Sequence, residues 1–211
     1  MSPDRGHARS AAGRGPEPKP HGLRIFLAVF PPPEFQRAAH ALADTLRGAG
    51  AAVSWVKPDN LHYTLRFIGE VGEDGARRIG LAAREAAAAH EAFDAALGGL
   101  GAFPDARRAR VIWAGLAAGG PALEAVARAL EAALRKQGFG RADHRFSAHL
   151  TLGRPREFGV DWTERLAAVP AMARPPSFRV DRITVVHSQL SPKGSIYTAR
   201  EQAMLGEPGP A

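Results

Sequence analysis

Two short stretches carry residue types that can move protons and hold an anion. They are Leu61-His62-Tyr63-Thr64-Leu65 and Ser147-Ala148-His149-Leu150-Thr151-Leu152. In each, a histidine stands two residues before a threonine. Successive side chains of a β-strand point to opposite faces. His62 and Thr64 therefore share one face, as do His149 and Thr151, about 7 Å apart along the strand at ~3.4 Å per residue. Tyr63, Leu65, Leu150 and Leu152 point the other way, into a core. Of the eight histidines, only these two have this spacing. An unperturbed imidazole titrates near pH ~6.5, so two of them can supply one base and one acid near neutrality. Each threonine hydroxyl can donate a hydrogen bond to an oxyanion held between the histidines. Phosphoryl transfer to water needs that set: a base for the nucleophile, an acid for the leaving oxygen in line with it, and donors for the remaining oxygens. Arg66 has the strand parity of His62 and Thr64 and would add positive charge. Arg154 has the wrong parity and reaches the same cleft only where its strand twists or ends. This chemistry is symmetric under exchange of His62 and His149.

A metal reading would recruit His144 and His187 as further ligands. No acidic spacing such as His-Glu-x-x-His accompanies them, so no metal is expected. They read as surface residues or as neighbours of the site. His7, His21, His40 and His90 read as tail or helix-surface residues.

The composition bounds the class. A chain of 211 residues with 45% hydrophobic residues suits a single domain or two closely packed lobes. There are no cysteines, which excludes disulfides, zinc–thiolate sites and thiol catalysis and fits a reducing compartment. No apolar run reaches the ~18 residues of a membrane span. The formal charge of +7 suits a polyanionic partner. Residues 1–21 and 206–211 lack large apolar side chains and read as tails, the first of them basic and disordered. Residues 22–205 form the folded part.

The elements that must position the two motifs follow from periodicity. Leu23 to Phe30 is a buried strand stopped by Pro31-Pro32-Pro33. Glu34 to Arg47 is a helix with Phe35, Ala38, Leu42, Thr45 and Leu46 inside, ended by Gly48 and Gly50. Strands are expected at Val53–Lys57, Leu61–Gly69, Phe93–Phe103, Arg110–Leu116, Phe146–Arg154, Ser177–Gln189 and Ser195–Ala203. Helices are expected at Glu73–His90 and Pro121–Gln137, the latter with Leu123, Val126, Leu130 and Leu134 as its apolar stripe and Gly138 as its cap. Glu157 to Val169 is a weak helix or loop. Helices set between short groups of strands indicate an α+β fold with mainly antiparallel sheets. The two histidines lie 87 residues apart, each late in a helix-containing half. That spacing predicts a bilobal molecule, two similar lobes facing each other across a central cleft.

The stretches Trp55-Val-Lys-Pro-Asp-Asn-Leu-His-Tyr-Thr-Leu-Arg-Phe-Ile-Gly-Glu70 and Phe146-Ser-Ala-His-Leu-Thr-Leu-Gly-Arg154 resemble the paired motifs of the two-histidine phosphoesterases. Within that superfamily they look like the RNA 2′,3′-cyclic phosphodiesterases, also called 2′-5′ RNA ligases. Gly98 to Pro104, Val111-Ile-Trp113 and His187-Ser-Gln-Leu190 with Gly194 and Tyr197 are similar to the family's intervening and closing segments. The resemblance spans about Leu23 to Leu205. It implies two lobes around a cleft and hydrolysis of a terminal 2′,3′-cyclic phosphate to a 2′-phosphate, with weak reverse ligation of RNA ends. It implies His62 as proton donor and His149 as proton acceptor, with Thr64, Thr151, Arg66 and Arg154 around the phosphate. Ser147-Ala148 stands where many relatives carry Arg-Pro, and His187 where they often carry an acid. No cofactor is implied. The expected partners are RNA ends or small cyclic nucleotides, met by a cytoplasmic monomer away from membranes. The competing reading is a module that binds nucleotides or RNA ends in the same cleft without turnover.

Overall fold

The computed structural model describes residues 22–47, 52–157, 159–192 and 194–207. The two expected tails, apart from Gly206 and Glu207, lie outside the described residues, as do Gly48 and Gly50.

The chain runs β1 (Leu23–Val29), α1 (Pro33–Arg47), β2 (Val53–Trp55), β3 (Tyr63–Val71), α2 (Glu73–Ala88), β4 (Phe93–Phe103), β5 (Val111–Ala118), α3 (Gly120–Lys136), β6 (Leu150–Pro155), α4 (Thr163–Ala167), β7 (Ser177–Val180), β8 (Arg182–Ser191) and β9 (Gly194–Met204). The fold is α+β. One nine-stranded antiparallel sheet has the order β7-β4-β5-β6-β3-β1-β8-β9, with β2 added to β6. Its two four-stranded halves meet at a narrow seam. There β3 and β6 share a single register pair, Tyr63 opposite Leu150. Both side chains are fully buried, so the seam is held from the core side.

The two His strands close matched units. In one, β1, α1 and β3 follow in order, and β1 pairs with β3. In the other, β5, α3 and β6 do the same. Leu23–Val29 is apolar on both faces because β1 is covered on both. Ile25, Leu27 and Val29 join the main core with the three long helices, while Phe26, Ala28 and Val186 form a smaller cluster with Phe30 and Tyr197. The stripe Leu123, Val126, Leu130 and Leu134 of α3 is buried as the period requires, and Gly138 follows with φ +85°.

Three expectations are corrected. The buried side of α1 is Phe35, Gln36, Ala39, Ala43 and Leu46, so Ala38, Leu42 and Thr45 are turned away from its centre. Thr45 is exposed, and its Oγ1 donates back to Leu42 O at 2.7 Å. The rotation brings a polar residue inside: Gln36 Nε2 donates to Leu61 O at 3.0 Å, fixing the backbone immediately before His62. Second, Ser177 to Gln189 is not one strand. It splits at Asp181 into β7, which pairs with β4, and β8, which pairs with β1 and β9. The chain thus crosses from one end of the sheet to the other within one residue. Third, β3 and β6 begin one residue after their histidines, at Tyr63 and Leu150.

Candidate active site

Each histidine sits at the mouth of its strand and is fixed by its own chain. His62 Nδ1 lies 2.7 Å from Asn60 O, and His149 Nδ1 lies 2.8 Å from Ser147 O. A carbonyl oxygen only accepts, so both Nδ1 atoms carry the proton in these bonds. That selects one tautomer twice and leaves both Nε2 atoms free as acceptors. Asn60 is itself anchored, its Nδ2 donating to Ser195 O at 3.1 Å. The antiparallel pair Tyr63–Leu150, extended one residue each way, sets His62 across from Thr151 and Thr64 across from His149. Facing residues in such a pair lie about 4.5–5.5 Å apart at Cα. The four side chains thus form a compact, nearly two-fold set.

All four line one cleft of about 670 Å³ with Trp55, Lys57, Asn60, Phe67, Arg154, Arg156 and Tyr197. Among the described residues that line it there is no carboxylate. Its walls bring three full cations and two imidazoles together, a field suited to an anion.

The environments of the two imidazoles differ. The His62 ring lies 4.9 Å from Phe26, 5.1 Å from Phe30 and 5.3 Å from Tyr197, centre to centre. His149 has one such neighbour, Phe103 at 5.0 Å, edge-on. Burial in this aromatic setting lowers the His62 pKa to about 4, opposed by the Asn60 carbonyl and aided by the nearby His149. Burial also lowers His149, opposed by the Ser147 carbonyl and aided by Arg154. Without a bound anion both rings are therefore neutral near neutral pH, rather than one neutral and one protonated as ordinary imidazole values would give.

The two arginines exchange places relative to the sequence expectation. Leu27 pairs with Arg66 and Ala28 with Thr64, so Leu65 is an extra residue on β3. Ile112 pairs with Gly153 and Trp113 with Thr151, so Leu152 is an extra residue on β6. Both are β-bulges one residue beyond the threonine, and a bulge inverts the alternation that follows it. After the bulges, Phe67 and Arg154 face the cleft. Arg66 does not. Its Nη2 donates to Gly140 O at 2.7 Å, and its Nε lies 3.6 Å from Glu131 of α3.

The same bulge makes room for β2. Gly153 lies under Trp55, where a Cβ would come within 2.6 Å of the indole ring. Trp55 pairs with Gly153, and Val56 N donates to Leu152 O at 2.8 Å. From there a single 3-10 turn, Pro58–Asn60, leads to His62. Lys57, Arg156, Phe67 and Tyr197 are cleft residues that the motif spacing missed. For Phe67 the signal was present, since it stands at the same distance from His62 as Arg154 does from His149. His144 lines a separate groove of about 470 Å³ beside α3, and His187 lies opposite Ile25 on β8. Neither joins the two cleft histidines. Among the described residues, no group of three or more His, Cys, Asp or Glu side chains has metal-holding geometry.

The sequence model of the LigT-like phosphoesterases matches residues 29–113 and 116–197, which include both histidines and both threonines. The chain belongs to the LigT-like phosphoesterase family. It is 35% identical over 182 residues to the RNA 2′,3′-cyclic phosphodiesterase of Methanothermobacter thermautotrophicus, covering 85% of this chain and 97% of that one. The protein of the same name from Thermus thermophilus is 32% identical over 204 residues, covering 89% and 93%. Among solved structures, one from Thermus thermophilus superposes with a TM-score of 0.73 at 28% identity, covering 87% of this chain and 98% of that one. Escherichia coli LigT shares the fold, with a TM-score of 0.70 at 24% identity and coverage of 88% and 99%. The long region of likeness runs through both halves of the sheet, so this family member has the whole fold, not one lobe of it.

Proposed function

We propose that this protein hydrolyses 2′,3′-cyclic phosphate termini of RNA, or of small nucleotides, to 2′-phosphomonoesters without a metal or other cofactor. The observation that carries the reading is the paired set: two histidines with Nδ1 tied to their own backbone, each across the seam from a threonine, in a cationic cleft. The names of the relatives, RNA 2′,3′-cyclic phosphodiesterases at 35% and 32% identity, support the substrate class.

In the proposed step the cyclic phosphate lies between the imidazoles. Thr64 and Thr151 donate to its non-bridging oxygens, and Arg154 faces its charge. His149 takes a proton from water at Nε2 as the water oxygen bonds to phosphorus. The bond from phosphorus to O3′ breaks, and His62 Nε2 delivers its proton to O3′. The phosphate stays on O2′. The anion itself supplies the charge that raises the depressed imidazole pKa and brings that proton in. A 5′-hydroxyl in place of water would give a 2′-5′ linkage by the same route, as a weak side reaction. The protein acts as a cytoplasmic monomer through residues 22–205, with the tails dispensable.

The test is turnover of an RNA ending in a 2′,3′-cyclic phosphate, in excess EDTA, with the product isomer identified. The expected result is full activity and a 2′-phosphate. Activity abolished by EDTA and restored by a divalent metal, or a 3′-phosphate product, overturns the mechanism. Binding without turnover would make the cleft a nucleotide-binding module instead.

A further inference from the structure

The catalytic set is nearly two-fold symmetric, yet the residues just beyond it are not. The matched bulges bring Phe67 and Arg154 to equivalent places in the cleft, one on each side of the seam. One side offers an aromatic ring. The other offers a guanidinium, with Arg156 and Lys57 in the same cleft.

Phe67 is 50% exposed, the one aromatic among the large exposed apolar residues of the described chain. It is also held in place. Its ring is parallel to Phe26 within 5° at 5.8 Å, and the Arg24 guanidinium lies 5.2 Å from its centre. Phe26 in turn lies 4.9 Å from the His62 ring. Two ring-to-ring steps thus separate His62 from Phe67, about the span from the ribose phosphate of one nucleotide to its base. Half-open aromatic rings beside cations are what nucleobases stack on, and such stacking tolerates any base.

We infer that Phe67 is the platform for the terminal nucleobase, and that the contrast between Phe67 and Arg154 fixes which way round the substrate lies. This rests on the cyclic phosphodiesterase reading and deepens it. With the base over β3, the ribose lies on the His62 side. The leaving O3′ belongs to that ribose, so His62 is the imidazole placed to protonate it, while His149 faces the side from which water arrives. Arg154 and Arg156 then meet phosphate charge across the seam. The symmetry of the acid–base chemistry is broken by residues that do none of it. The site accepts all four bases and holds purines more tightly than pyrimidines.

The experiment compares the wild type with Phe67→Ala and Phe67→Trp. Calorimetry measures affinity for adenosine 2′-monophosphate and for ribose 2-phosphate, which has no base. Steady-state kinetics on adenosine 2′,3′-cyclic phosphate gives KM and kcat separately. Loss of one stacked base corresponds to a fall of roughly 5- to 100-fold in affinity. The expected result is that loss for adenosine 2′-monophosphate in Phe67→Ala, with KM raised far more than kcat is lowered. Phe67→Trp is expected to restore affinity, and ribose 2-phosphate to bind all three forms alike. Unchanged nucleotide affinity in Phe67→Ala, or an equal loss for ribose 2-phosphate, overturns the inference. A wild type that binds the nucleotide through Phe67 but turns over no cyclic phosphate leaves the platform standing and overturns the proposed reaction instead.

Discussion

At the scale of single residues, the site depends on two imidazoles whose Nδ1 atoms are occupied and whose Nε2 atoms are free. His62→Ala and His149→Ala are each expected to lower turnover by about 10²–10⁴-fold, the usual worth of a general acid or base. Because the two act in one step, the double variant should fall far short of the product of the single losses. Melting temperatures should change little, since the buried Tyr63 and Leu150 hold the seam. Thr64→Ala and Thr151→Ala should each cost less, ~1.5–3 kcal/mol for one hydrogen bond to a charged group. Steady-state kinetics and thermal melts check all of these. The pH dependence follows from the depressed imidazoles. The proposed step needs one ring charged and one neutral, so kcat/KM of the free enzyme should peak on the acid side of the ordinary imidazole value, ~6.5, and fall above it. Stability should move the opposite way. His62 titrates at about 4 in the fold and near ~6.5 unfolded. Between these values the unfolded chain binds more protons, so stability falls as pH drops through that window, by on the order of 2 kcal/mol. Denaturant unfolding of the wild type and His62→Phe across that window reads this directly, and the variant should lose most of the slope.

At the scale of elements, the bulges decide which charge serves the site. Arg154→Ala should raise KM for a dinucleotide cyclic phosphate by about tenfold or more, the worth of one charged hydrogen bond. Arg66→Ala should leave kcat and KM near wild type and lower stability by ~1 kcal/mol, since it frees Gly140 O and leaves Glu131 without its neighbour. A kinetic comparison of the two variants, with unfolding of each, tests this. The pairing of His62 with Thr64 and of His149 with Thr151 was legible because strand alternation holds over three residues. It did not hold over five. A bulge is one extra residue with an ordinary side chain, and Leu65 and Leu152 look like any core leucine in sequence. The inward turn of Gln36 was hidden for a related reason. A helical stripe is read from apolar residues, and this one includes an amide that bonds to Leu61 O. The α+β class was legible because the helical and strand periods separate cleanly. The break at Asp181 was not, since β-favouring residues flank it on both sides.

At the scale of the molecule, the C-terminal third belongs to both halves of the sheet. The proposed boundaries can be tested by cutting the protein to residues 22–205. Leu205 N donates to Asp181 O at 2.8 Å and is kept, while Gly206 N donates to Ala87 O at 3.2 Å and is lost. One exposed hydrogen bond is worth about 1 kcal/mol. The shortened protein should therefore unfold in a single transition slightly below the full chain and keep its activity on small cyclic nucleotides. Calorimetry and a turnover assay check this.

The crossover at Asp181 also bears on how the protein comes into being. On a ribosome, both His motifs emerge before β7, β8 and β9 have been made. Until those strands emerge, β1 has β3 on one side and a bare edge on the other, and β4 lacks its outer neighbour. Neither lobe can close while the other waits, so the nascent chain carries two open sheet edges until its last strands leave the exit tunnel. Contacts this distant in sequence make for slow folding and for a period of exposure to wrong partners. Cutting the gene at its midpoint would not release two working half-proteins, however alike the two His units are.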